Sequence, residues 1–232
     1  MDMDVGSSKK RVRDSQKSRA AILDAAEEVF AQNGFAGARI ETIAKASGYN
    51  TGLIFRYFGD KLGLYSEVLK RSDSEVSELM VNAFTPLFTD EAAASDADHF
   101  RAFLKGMIVT LFDYLLDHPS LVRILTWEMA GGWEMLAKTA SQFPTENSER
   151  FVAFFHKAWT TGFLRSNFAF KIQFSLVMQI CHVYLAYLPL YQMLLPGEDP
   201  AATGSMAQAR EHLVNFIVAG MMTEPEIAEE TT

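Results

Sequence analysis

Arg39-Ile-Glu-Thr-Ile-Ala-Lys-Ala-Ser-Gly-Tyr-Asn-Thr-Gly-Leu-Ile-Phe-Arg-Tyr-Phe-Gly-Asp-Lys-Leu-Gly-Leu64 reads as a short helix, a glycine turn, a second short helix and the start of a third. Ile40, Ile43 and Ala44 give the first helix one apolar face, and the small Ala44 lets its neighbour approach closely. Gly48 supplies the backbone freedom a tight turn needs. Tyr49 can plug the angle between the helices, and Asn50 is a good N-cap for the next helix, at about 51–57. Leu53 or Ile54 is available for the interior of that helix, with Thr51, Gly52, Phe55, Arg56 and Tyr57 on its other faces. This is the order and spacing of a helix-turn-helix. In such a unit the second helix lies in the major groove with its N-terminal residues nearest the base edges, so the stretch implies double-stranded DNA as a partner.

The flanking residues fit this reading. From about Ser15 to Asn33, Ile22, Ala26, Val29 and Phe30 recur at helical spacing, and Asn33-Gly34 suits a helix end. A long helix is expected from about Asp60 to Phe84, limited by Pro86. Further helices are expected at about 99–117, 119–138, 146–162, 169–194 and 204–222. Pro119 suits a helix start, and Gly131-Gly132 and Pro189 are candidate breaks or kinks. No alternating β-branched run makes a strand. The expected fold is all-α, with about nine helices. It divides into a flexible basic arm (1–14), a three-helix DNA-binding domain (15–62), a larger helical effector-binding and dimerisation domain (63–222) and a frayed tail (223–232).

Charge supports that division. The 232-residue chain carries a net charge of -8, which argues against a surface uniformly suited to nucleic acid. Residues 1–63, however, hold ten Lys and Arg against eight Asp and Glu, whereas the rest holds eleven against twenty-one. The first quarter is therefore the phosphate-facing part. Hydrophobic residues make up 49% of the chain, enough for a core without disulfides or metals. The single cysteine, Cys181, forms no intrachain disulfide, which fits a cytoplasmic setting. No apolar run precedes Ala20, so no N-terminal signal is expected.

The residues from Ser18 to about Leu69 resemble the TetR family of bacterial transcriptional repressors. The resemblance runs through Arg19 to Ala26, Asn33-Gly34-Phe35, Thr42-Ile43-Ala44, Ser47 to Asn50, Gly52 to Phe58, and Lys61. Four positions depart from the family pattern. Ala38 stands where a capping threonine is common, Phe55 where tyrosine is, Arg56 where an aromatic residue is, and Tyr57 where histidine is frequent. The resemblance implies that Thr51 and Leu53 meet base edges or methyls, that Arg56 and Tyr57 touch backbone or bases, and that Lys61 and Arg39 lie near phosphate. Lys45, Asn50, Gly52 and Phe55 complete the expected DNA-facing set. It further implies a homodimer built from the last two helices, a palindromic operator and a small-molecule effector. A DNA-binding dimer without an inducer, in a structural or activator role, is the alternative.

Beyond residue 70 the chain is rich in Phe, Met and Trp, which pack cores and also line adaptable apolar pockets. Phe103, Met107, Trp127, Phe155, Trp159 and Met178 are the expected effector-pocket residues, for an apolar or aromatic ligand. Gln179 and His182 need partners if buried. The helix at 169–194 is apolar on nearly every face (Val177, Ile180, Cys181, Tyr184, Leu185), and Leu213, Phe216, Ile217 and Gly220 stripe the last one. Gln173, Gln179, His182 and Gln192 interrupt Ile172–Leu195, so no membrane span is expected. The five histidines show no metal-ligand spacing and no glycine-rich phosphate loop occurs, so no enzyme activity, metal or cofactor is expected.

Overall fold

The computed structural model describes residues 5–89, 96–139, 146–165 and 170–223. These form eleven helices: α1 (Val5–Gly37), α2 (Ile40–Ser47), α3 (Thr51–Phe58), α4 (Lys61–Thr89), α5 (Ala97–Asp117), α6 (Pro119–Ala130), α7 (Glu134–Thr139), α8 (Glu146–Thr160), α9 (Phe170–Ala186), α10 (Leu188–Leu194) and α11 (Thr203–Met221). No strand occurs among them; Leu164 and Met222 make one isolated antiparallel bridge. The all-α expectation holds. Two more helices are present than the nine expected, because two predicted helices are each divided. Gly131, Gly132 and Trp133 turn the chain between α6 and α7, with positive φ at Gly132 and Trp133. Pro189, in the first turn of α10, lacks the N–H that would continue α9.

α1 also begins earlier than expected, at Val5 rather than near Ser15. Most of the segment expected to be an arm is thus helical. Residues 5–14 contain no proline, and adding turns to an existing helix is far easier than starting one. Residues 1–4 of that arm, and the tail beyond Thr223, lie outside the described residues.

The chain forms two compact units. The first comprises Met1–Glu75 with His118–Phe143, and is therefore larger than the 15–62 segment expected for the DNA-binding domain. Its core takes Ile22, Ala26, Val29 and Phe30 from α1, Ile40, Ile43 and Ala44 from α2, and Ile54 and Phe58 from α3. Leu64, Tyr65, Val68 and Leu69 come from α4 and Ile124 from α6. Each such Ile, Leu or Phe removed from water contributes about 2 kcal/mol. Gly63 marks the tightest point: a Cβ there would lie 2.1 Å from the Phe58 carbonyl oxygen, so the junction of α3 and α4 admits no side chain.

Polar ties join these helices as well. Arg71 of α4 pairs with Asp24 and Glu27 of α1, and Arg19 of α1 with Glu67 of α4. Glu128 of α6 is buried; its Oε1 accepts from the Tyr65 hydroxyl at 2.6 Å and its Oε2 from the Leu136 backbone N–H at 2.9 Å. Burial, reinforced by that carboxylate, raises the Tyr65 phenol far above its usual range. Ser120 donates to Glu28 at 2.9 Å, and the Trp127 indole lies against Gly34 and donates to the Ala31 carbonyl at 3.2 Å. These contacts bring α6 and α7 into the unit that holds the helix-turn-helix.

The second unit comprises Val76–Asp117 and Pro144–Thr232. α5 packs on α9 and α11, and α8 and α10 pack on α9. Phe100, Phe103, Phe154 and Phe155 form a ring cluster, with the Phe103 and Phe154 centroids 4.6 Å apart. Val177, Cys181 and Leu185 turn one stripe of α9 inward. Arg165 closes the end of α11, donating from Nε to the Met222 carbonyl at 3.0 Å and from Nη2 to the Ala219 carbonyl at 3.3 Å. A cation there satisfies carbonyls that the helix itself leaves open.

Candidate nucleic-acid interface

The turn between α2 and α3 is made as its sequence requires. Gly48 closes α2 in the left-handed conformation, at φ 76°. Asn50 Oδ1 then accepts from the Leu53 N–H at 2.8 Å, capping α3. Tyr49 packs partly buried against the core, filling the angle. At the far end, the Gly59 N–H donates to the Phe55 carbonyl at 2.8 Å, and Asp60 Oδ1 accepts from the Gly63 N–H at 2.7 Å, starting α4. The start of α2 is less well finished. Arg39, not Ala38, is its N-cap residue and offers no side-chain hydrogen bond, while Ala38 is buried in the core.

Ile54 and Phe58 anchor α3 inward, and Leu53 packs partly against the core. Gly52, Phe55 and Arg56 are exposed, and Thr51, Leu53 and Tyr57 are half-buried. Arg39, Lys45 and Asn50 are exposed as well. The side chains expected to face DNA are thus brought to the surface of the helix-turn-helix, with Thr51 and Gly52 in the first turn of α3. A groove of about 500 Å³ runs beside it, lined by Asp14, Ser15, Lys17, Ser18, Tyr49, Leu53, Arg56 and Tyr57.

Two of the expected contacts are engaged within the protein. Lys61 lies over the Phe35 ring, 4.7 Å from its centroid, and donates to the Ala36 carbonyl at 3.3 Å, at the end of α1. Partial burial lowers its pKa. The Tyr57 hydroxyl meets Ser15 Oγ at 3.1 Å and Ser18 Oγ at 2.9 Å, and the bond with Ser15 lowers the phenol's pKa. The Arg56 guanidinium sits 5.4 Å from the Tyr57 ring centroid. The groove's α1 wall (Asp14, Ser15, Lys17, Ser18) was not anticipated from the residues. Nothing local marks it, since its partners lie about forty positions along the chain.

Residues 22–68 match the family model described as "Bacterial regulatory proteins, tetR family". That match takes in α2 and α3 with the adjoining parts of α1 and α4, the helix-turn-helix and its supports. The chain is similar to the HTH-type transcriptional repressor SCO4008 of Streptomyces coelicolor, 34% identical over 116 residues, which is 50% of this chain and 52% of that protein. It is also similar to the HTH-type transcriptional repressor NicS of Pseudomonas putida, 30% identical over 118 residues, 51% of each protein. The chain thus spans about half the length of the curated relatives it matches. Along nearly its whole length it shares the fold of a TetR family transcription regulator from Marinobacter aquaeolei VT8 (TM-score 0.67, 92% of this chain, 100% of that chain). At 19% identity that likeness concerns the fold alone.

The six residues expected to line an effector pocket are divided between the two units. Trp127 belongs to the first unit of this TetR-type fold, against α1. Phe103, Met107 and Phe155 are fully buried in the second unit, where both Phe rings are packed into the cluster. Trp159 is exposed beside His156, and Met178 is half-buried on α9. None of the six lines the cleft of about 230 Å³ that the second unit presents between α5 and the start of α11 (Phe112, Asp113, Leu116, Thr203, Met206 and Arg210 among its walls). His182 is buried and Gln179 exposed.

Proposed function

We propose that the protein is a transcriptional repressor that binds an inverted-repeat operator as a homodimer, with α3 in the major groove of each half-site. The observation that carries this reading is α3 itself. It is capped by Asn50, anchored by Ile54 and Phe58, and presents Thr51, Gly52, Phe55 and Arg56 outward within a TetR-family domain. The similarity to proteins named as transcriptional repressors supports the direction of regulation.

The second unit supports the dimer. Ile172, Leu176 and Gln179 form an uncovered stripe on α9, continued by the half-buried Val183, and Ile172 is 58% exposed. On α11, His212, Phe216 and Gly220 do the same, with Phe216 at 64%. A second copy meeting these stripes about a two-fold axis would cover them and would match two half-sites.

The test is DNA binding to an inverted repeat beside the protein's own coding region. Arg56→Ala should weaken binding to every sequence and lower the slope of log affinity against log salt by about one, because one phosphate contact is lost. Thr51→Ala should change which base is preferred at one position per half-site. If both variants bind as the unaltered protein does, α3 is not the reading helix.

Release by an apolar or aromatic small molecule is the further part of this proposal, with α4, whose residues belong to both units, as its route. One observation favours the alternative of a dimer without an inducer: the Phe100, Phe103, Phe154 and Phe155 rings fill the interior against one another. A panel of aromatic compounds screened by thermal shift separates the two. An inducer must bind more weakly when operator is present, by the factor with which it weakens operator binding. If every compound that binds leaves operator affinity unchanged, the inducer is excluded.

A further inference from the structure

We infer that Tyr57 is a positioning residue, through which α1 sets the angle of the recognition helix, and that its hydroxyl makes no contact with DNA. The inference rests on the reading of α3 as the recognition helix.

Three hydroxyl-bearing side chains and one carbonyl meet where α1 passes the end of α3. Tyr57 Oη lies 3.1 Å from Ser15 Oγ and 2.9 Å from Ser18 Oγ, and Ser18 Oγ donates to the Ser15 backbone carbonyl at 3.0 Å. Each hydroxyl has a single proton to donate. The Ser18 proton is on the Ser15 carbonyl, so Ser18 Oγ can only accept from Tyr57. The Tyr57 proton is therefore on Ser18, and Tyr57 Oη accepts from Ser15. The three donors form one directed chain: Ser15 to Tyr57, Tyr57 to Ser18, Ser18 to the α1 backbone. A phosphate oxygen only accepts, and the Tyr57 hydroxyl has no proton left for it.

The same stretch of α1 holds α3 in two further ways. Arg19 Nη1 lies 3.4 Å from the Tyr57 carbonyl oxygen, and its guanidinium carbon is 4.7 Å from the Phe58 ring centroid. Ser18 is itself buried, so this side of α1 is a fixed reference. Ile54 and Phe58 anchor α3 by apolar burial, which sets its inward face but no precise angle. The hydrogen-bond chain adds a directional constraint. Thr51 and Leu53 lie six and four residues before Tyr57 on the same two-turn helix, so a small rotation at Tyr57 is carried directly to them.

The experiment uses the full chain as Tyr57→Phe, as the pair Ser15→Ala with Ser18→Ala, and as all three together. Binding is measured to operator and to operator with one altered base pair per half-site, across a range of salt. Each variant should bind operator about 5- to 10-fold more weakly, the usual effect of losing about one hydrogen bond. The triple variant should be no weaker than either parent, because both sever one chain. The salt slope should not change, and discrimination against the altered site should narrow. A slope lowered by about one in Tyr57→Phe would show a direct phosphate contact and overturn the inference. Multiplying effects in the triple variant, or affinity and discrimination equal to those of the unaltered protein, would overturn it too. An unaltered protein that bound no DNA would instead remove the reading of α3, and this inference with it.

Discussion

In the first unit, helices distant in sequence meet through groups that bond only at set angles. Tyr65 meets Glu128 across 63 positions, Arg71 meets Asp24 and Glu27, and Ser15 and Ser18 meet Tyr57. In the second unit, α5 packs on α9 and α11 with many apolar side chains buried, four Phe rings from α5 and α8 cluster together, and the pair of Arg210 with Asp113 is a directional tie between α11 and α5. Directional contacts fix an orientation, which suits the proposed placing of side chains against base edges. Apolar contacts fix a volume, which suits the proposed meeting of the remaining apolar stripes with a second copy.

The contrast predicts that equal-sized losses will not cost the same in the two units. Glu128→Ala removes an acceptor from two donors at once, the buried Tyr65 hydroxyl and the part-buried Leu136 N–H. It should lower stability by about 3 kcal/mol. Phe103→Leu, in the ring cluster, keeps an apolar group of similar reach and should cost about 1 kcal/mol. Urea unfolding followed by helicity measures both. A Phe103→Leu loss larger than that of Glu128→Ala would mean that the ring cluster is the more exacting of the two.

The same division decides what could be read from the residues. The α2–turn–α3 stretch obeys rules that act over four or five positions: Gly48 at a left-handed turn, Asn50 as a cap, Ile40, Ile43 and Ala44 at helical spacing. Its geometry was therefore readable, as was the inward stripe of α1. The membership of α6 and α7 in the first unit was not, because Glu128 looks like any helical glutamate until Tyr65 is brought to it. The contact of Trp127 with Ala31 and Gly34 was not readable for the same reason: an aromatic residue in an apolar helix carries no mark of which surface it will meet. Lys61 and Tyr57 were placed toward DNA by position in the motif, and only the structure reveals their partners on α1.

The smallest expected effect concerns Cys181, buried against the second unit's core. Burial pushes its thiol up to about 12, against about 8.5 in an unfolded chain. The folded state thus holds this proton more tightly. The group should leave stability unchanged below about pH 8.5 and lower it above, as the unfolded chain gains by ionising. At pH 8 a thiolate-specific disulfide reagent should modify the unfolded chain promptly and leave the native chain unmodified over the same period. Rapid modification of the native protein would show that this apolar packing opens readily.

The division of labour between the two units is tested most directly by comparing affinity for a complete inverted repeat with affinity for a single half-site, in the unaltered protein and in Phe216→Glu. If α3 reads and α11 joins the copies, the unaltered protein should prefer the complete repeat by about 100-fold or more, the gain of linking two binding events. Phe216→Glu should sediment as a monomer, retain its helicity, and bind the complete repeat only as well as the unaltered protein binds one half-site. A Phe216→Glu protein that stayed dimeric, or that kept the full preference for the repeat, would contradict the account.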